Sequence, residues 1–202
     1  MKKLMLLSAI LIGAIYSASA QYYSHNSDMN SSAKFGIGVS SGFATGPVSG
    51  SFPEAGALSF KLELPIGKSP VSFLLSTGYT FYVSEGGYEL DFGGYGYGGS
   101  TYYSGDIASF IPIEAGLKAY IANRVFIEGE AGVSFIINGY SSDYTYKPTD
   151  FIYSPSIGYT FRSGYRSSID LSLLYENRPE TGGGYEQVAV RAVLNFGLSG
   201  RR

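Results

Sequence analysis

The chain of 202 residues contains no cysteine, no tryptophan and one histidine, His25. Without cysteine, no disulfide can stabilise an exported domain, and no thiol follows a leader to carry a lipid anchor. His25 sits in the polar stretch Ser24-His25-Asn26-Ser27-Asp28. A histidine beside a hydroxyl or carboxylate is what hydrolytic or acyl-transfer chemistry usually needs. The chain is therefore expected to be no enzyme, with no catalytic, cofactor-binding or metal-binding residue and no cofactor. Charge is also scarce, at 15% of residues, with a net of −2. That balance argues against nucleic acid as a partner. The apolar run Leu4 to Tyr16 is shorter than the roughly 20 residues that a spanning helix needs. It follows Met1-Lys2-Lys3 and leads to Ala18-Ser19-Ala20. This order predicts a signal peptide over 1–20 and a mature chain from Gln21.

What the chain does have is 28 glycines, 19 tyrosines and 13 phenylalanines. Such a composition disfavours helix and favours strand. A polar segment, 21–32, is expected to be flexible. From 33 to 202 the pattern is that of one domain with period-two alternation. Phe35, Ile37 and Val39 alternate with Lys34, Gly36 and Gly38. Leu58, Phe60, Leu62 and Leu64 alternate with Ser59, Lys61 and Glu63. Six further runs are Val71 to Val83, Ile107 to Ile121, Val125 to Phe135, Phe151 to Arg162, Ile169 to Glu176 and Gln187 to Phe196. Strict alternation marks strands with one apolar face. Eight strands is an even number, as single-chain bacterial barrels require. Several match the roughly 9–11 residues that a tilted strand needs to cross a bilayer.

The connections alternate in length. Gly42 to Gly56, Ser84 to Asp106 and Asn138 to Asp150 are long, and Arg178 to Gly184 is moderate. Pro65 to Pro70, Ala122 to Arg124 and Ser163 to Ser167 are short. Outer-membrane barrels have short periplasmic turns and longer outer loops. The polar face carries Lys34, Lys61, Lys118, Arg162 and Arg191 against Glu63, Glu114, Glu128, Glu130, Asp170 and Glu176. Aromatics Tyr79, Phe81, Tyr153, Phe161, Tyr175 and Phe196 lie toward strand ends on the apolar face, as an interfacial girdle requires. The fold class is thus all-β: an eight-stranded antiparallel up-and-down transmembrane β-barrel, preceded by a signal peptide. Its interior is wide enough only for side chains, so opposite charges are expected to pair there and plug it.

Two segments carry a resemblance. Phe110-Ile111-Pro112-Ile113-Glu114-Ala115-Gly116-Leu117-Lys118 has a proline in mid-strand before a short turn. Val190-Arg191-Ala192-Val193-Leu194-Asn195-Phe196 looks like a terminal barrel strand with an aromatic assembly signal. With these, the chain resembles the small outer-membrane β-barrel domain families common in Bacteroidetes, the group that includes PorT-like proteins. Here Gly197 to Arg202 follow Phe196, where such barrels usually end on the aromatic. The resemblance implies the fold and a place in the cell outer membrane, without a defined activity.

Glu128 and Glu130 share a face, and their expected role is pairing with Lys118 and Arg191 rather than acid–base or cation chemistry. The loop Glu85 to Asp106 is rich in Gly and Tyr, through Gly86-Gly87-Tyr88, Gly93 to Gly99 and Tyr102-Tyr103. Tyrosines there could stack on sugars or adhere to a protein, so 85–106 is a candidate surface-ligand loop. The expected partners are outer-membrane lipid, the barrel-assembly machinery during insertion and a surface ligand, with the barrel a monomer. The alternatives are a small-solute pore and a soluble secreted β-protein.

Overall fold

A computed structural model describes residues 32–67, 69–84, 107–122, 124–138, 149–162, 167–179 and 184–198. Eight strands run in order: β1 (Lys34–Thr45), β2 (Glu54–Pro65), β3 (Val71–Val83), β4 (Ile107–Tyr120), β5 (Val125–Asn138), β6 (Thr149–Arg162), β7 (Ser167–Arg178) and β8 (Tyr185–Gly197). Each pairs antiparallel with its neighbours, and β8 returns to β1, so the sheet is a closed barrel. Strands of 12 to 14 residues are long enough to cross a bilayer when tilted. Among the described residues no helix is long and apolar enough to cross a membrane.

The alternation read from the sequence decides what faces out. Ile37, Val39, Ile113, Leu117, Val133, Ile157, Leu173 and Val190 are all exposed; Val39 is 60% exposed and Leu173 54%. Between them the strands bury lysines, glutamates, serines and threonines. This is the reverse of a soluble sandwich, which hides its apolar face. A belt of exposed apolar side chains of this extent fits hydrocarbon. Aromatic pairs sit near both ends of the outer surface. Tyr79–Phe81 and Tyr153–Tyr175 lie at the end of the long connections, and Phe35–Phe60 and Tyr159–Phe161 at the other.

Glycine makes the inner face possible at particular positions. Gly132 stands across from Glu114 and Gly116 across from Glu130 in the β4–β5 pairing. A Cβ on Gly132 would lie 2.0 Å from the Ile113 carbonyl oxygen. Glycine at these positions lets the β4 and β5 backbones approach more closely than any side chain would allow.

Two prolines interrupt the ladders. The β3–β4 pairing skips from Thr77 to Thr80 opposite Pro112, and β6–β7 skips from Tyr153 to Ser156 around Pro155. Proline has no N–H to donate. At the first gap the Thr77 hydroxyl donates to the Pro112 carbonyl at 2.9 Å, satisfying that acceptor.

The first connection is shorter than its glycines suggest. Gly42 to Gly56 reads as loop, yet β1 runs to Thr45 and β2 begins at Glu54. Gly42 pairs within the sheet with Ala55 and Ala189, and Gly56 with Ser41 and Phe81. Small residues there signal close strand approach, not a turn. The connection itself is a 3-10 turn, Gly46–Val48, followed by Ser49 to Pro53. Expectations for 1–31, including the signal peptide and His25, and for 85–106 fall outside the described residues.

An arginine at Ile113, midway along β4, would meet lipid. Ile113→Arg is expected to destabilise the inserted barrel by about 2–4 kcal/mol at the midplane, with Ile113→Val close to neutral. Urea titrations of the protein folded into lipid vesicles, read by heat-dependent gel mobility, give the comparison.

Candidate functional site

The lumen is where the strands bring chemistry together. Its buried charges are Lys34, Lys61, Lys118, Arg178 and Arg191 against Glu63, Glu114, Glu128, Glu130, Asp150, Asp170 and Glu176. Alternation delivers them from every strand except β3, and barrel closure sets strands far apart in sequence face to face. In the end near the short turns, Glu63 accepts from Lys34 at 2.9 Å and from Lys118 at 3.2 Å. Lys118 also donates to Asp170 at 2.5 Å, and Asp170 accepts from Thr160. Tyr120 and Phe126 cover Lys118, whose ammonium lies 4.2 Å from the Phe126 ring centre.

At mid-height, Lys61 donates to Glu128 at 2.5 Å and to Glu130 at 2.8 Å. Arg191 pairs with Glu128 from the opposite side. Ser76 donates to Glu130. Toward the long connections, Glu176 accepts from Arg178 and Gln187, and Glu114 accepts from Ser154. Moving such ions out of water costs several kcal/mol each, and the pairing together with the hydroxyls offsets that cost.

The expected pairing is present, with one change of partner. Glu128 and Glu130 do meet Arg191, but their lysine is Lys61, while Lys118 serves Glu63 and Asp170. In-plane neighbours suggest Lys118, since Glu128 stands across from it in the β4–β5 register. Strand tilt and barrel curvature bring β2 to β5 instead. Arg162 is a clear correction: the last residue of β6 is exposed at the rim and takes no part in the plug.

Alternation carried one step further finds Arg178. It continues the inward series Asp170, Ser172, Leu174, Glu176 and is 0% exposed, although in the sequence it opens a connection. Its Nε donates to Ser134 and its Nη1 to the Tyr82 hydroxyl. The guanidinium lies over the Phe110 ring at 4.7 Å and the Tyr82 ring at 5.9 Å. Around it is an apolar cluster of Phe52, Ala55, Tyr82, Ala108, Phe110 and Tyr185. Tyr82 follows from period two, but Phe52 comes from a connection, where no periodicity exists to reveal it.

Among the described residues no group of three or more His, Cys, Asp and Glu is placed to hold a metal. No family model matches the sequence, and no curated protein does. Solved structures do match in fold. One is Ail, the attachment invasion locus protein of Yersinia pestis, in complex with the heparin analogue sucrose octasulfate. It is 14% identical over 81% of this chain and 97% of that one, with a TM-score of 0.50. Another is Neisserial surface protein A, 12% identical over 82% of this chain and 97% of that one, also at 0.50. At such identities the likeness is one of fold. The chain is an eight-stranded barrel of the outer-membrane type, apolar outside and filled with ion pairs inside.

Removing one member of the plug strands its partners. Lys61→Met is expected to cost about 3–5 kcal/mol, because Glu128 and Glu130 lose a shared cation. Adding Glu130→Gln should recover part of that loss. Equilibrium unfolding in vesicles measures both.

Proposed function

We propose that the protein is an integral outer-membrane β-barrel with a structural or surface-interaction role and a lumen that does not conduct. One observation carries this reading: an apolar belt faces outward around an interior with buried ion pairs near both ends and at mid-height. In this reading 1–20 is a cleaved signal peptide, 21–32 a flexible lead and 33–202 the barrel. The barrel works as a monomer in outer-membrane lipid, inserted by the barrel-assembly machinery. The loop 85–106 offers tyrosines to a surface ligand. Pro112 before the short turn at 121–124, and the closing strand to Phe196, support kinship with the PorT-like families of Bacteroidetes. No catalytic role is assigned: Glu63, Glu128, Glu130, Asp170 and Glu176 are held in ion pairs, and Glu114 accepts from Ser154.

A small-solute pore is the second reading, and the side chains that fill the lumen speak against it. A soluble secreted protein would not present Val39, Ile113 and Leu173 to water.

The test is fractionation and electrical recording. The protein should migrate with outer membranes, shift mobility on heating, and give no stable current in planar bilayers. Recovery in the soluble periplasm would overturn the membrane reading, and a steady open current would overturn the closed lumen.

A further inference from the structure

The mouth of the barrel near the long connections is closed by different chemistry from the rest of the lumen. Among the described residues its outermost ring is Phe52, which packs on Tyr185 with centroids 6.1 Å apart. Tyr185 in turn lies 5.1 Å from Tyr82 and 4.8 Å from Phe110. Beneath these rings is Arg178. Phe52 belongs to the connection between β1 and β2. That connection's backbone bonds are mostly its own: Ser49 and Ser51 donate to Gly46 and Val48, and Phe52 donates to Val48. Ala44 donates to Pro53 at its base. Gly46 has φ +74°, and Pro47, Gly50 and Pro53 punctuate the segment. It is a flap seated against β8, with Gly46 beside the Glu186 side chain, Val48 packed on the cluster and one aromatic side chain, Phe52, turned into the mouth.

Under the rings, two polar atoms are fully buried without a partner among the described residues: Nη2 of Arg178 and Oε1 of Gln187. Both residues are 0% exposed, and both hold Glu176, Arg178 through Nη1 and Gln187 through Nε2. An unmade hydrogen bond on a buried group costs about 1–3 kcal/mol. One is a donor and the other an acceptor; the Tyr82 and Phe110 rings stand beside Arg178, and Gln187 joins it through Glu176.

We propose that this mouth is a lidded binding vestibule, with the Phe52 flap as its lid, for a neutral sugar residue. This rests on the membrane-barrel reading and adds a site to it. A pyranose is about the size of the phenyl ring it displaces. Its apolar C–H face suits Tyr82, Phe110 and Tyr185. One hydroxyl oxygen accepts from Arg178 Nη2, and another hydroxyl donates to Gln187 Oε1. The charge of Arg178 is already balanced by Glu176 at 2.6 Å, so an acidic ligand gains little there. The ion-pair layers beneath stay closed when the lid lifts, because they are tied to strands from around the barrel and not to the flap.

The absence of cysteine makes a direct test possible. Ala108→Cys places one thiol in the aromatic cluster, and Ser168→Cys places one near the short-turn end; both positions are 1% exposed. Whole cells producing each full-length variant are treated with a membrane-impermeant maleimide. Adding Phe52→Ala should speed labelling at 108 by roughly tenfold or more, while 168 stays protected. Glucose, galactose or N-acetylglucosamine at millimolar concentration should then slow labelling at 108, and Arg178→Met or Gln187→Leu should abolish that slowing. Unchanged labelling at 108 after Phe52→Ala would refute the lid. Equal labelling at 168 would refute the separate lower seal. Failure of all three sugars to protect, or protection that survives both Arg178→Met and Gln187→Leu, would refute the sugar site. Outer-membrane fractionation of the same cells reports separately on the membrane reading.

Discussion

A strand that crosses hydrocarbon has no water to satisfy its N–H and C=O groups, so every one of them must find another strand. That constraint forces the sheet to close, and closure dictates most of the remaining architecture. Eight strands enclose a space only as wide as the side chains that fill it. The face toward lipid must be apolar, so the charge that the sequence does contain has only the inside to occupy. Ions placed there must pair, and the Lys61, Arg191, Glu128 and Glu130 group is the outcome at mid-height. The small residues have the same origin: Gly116 and Gly132 are where β4 and β5 approach too closely for a Cβ.

The interior is layered. A cation lies on aromatic faces near each end, Lys118 on Tyr120 and Phe126 at one and Arg178 on Tyr82 and Phe110 at the other. Networks of opposite charge lie between. Cation–π contact gives a desolvated cation a second favourable neighbour besides its carboxylate. Each end thus combines apolar packing with a cation paired to a carboxylate, which suits a region between lipid depth and water.

Much of this is legible in the sequence, because the period of a strand is a physical consequence of pleating. The runs through Phe35, Leu75, Ile113 and Leu171 announce their outward face, and the charges between them announce the lumen. Whatever depends on curvature or on a connection escapes such a reading. Pairing Glu128 with Lys61 instead of Lys118 is a matter of which strands meet across a cylinder, and linear order does not contain that. Arg178 lies one step past the run that apolar alternation marks. Phe52 reaches the mouth from a connecting segment, where side-chain direction has no period. Gly42 and Gly56 read as turn residues because glycine is frequent in turns, while here it permits strands to approach closely.

The seam between β1 and β8 carries a further consequence. Lys34 to Thr45 pair without a break against Gly197 to Glu186, so the first and last strands are as fully bonded as any hairpin. An unbroken ring of strands has no free edge. Recognition by β-augmentation, in which an extended peptide adds itself to an unpaired strand, is therefore closed to the eight described barrel strands. A partner that binds it must grip side chains at the rims, the connections or the lipid-facing belt.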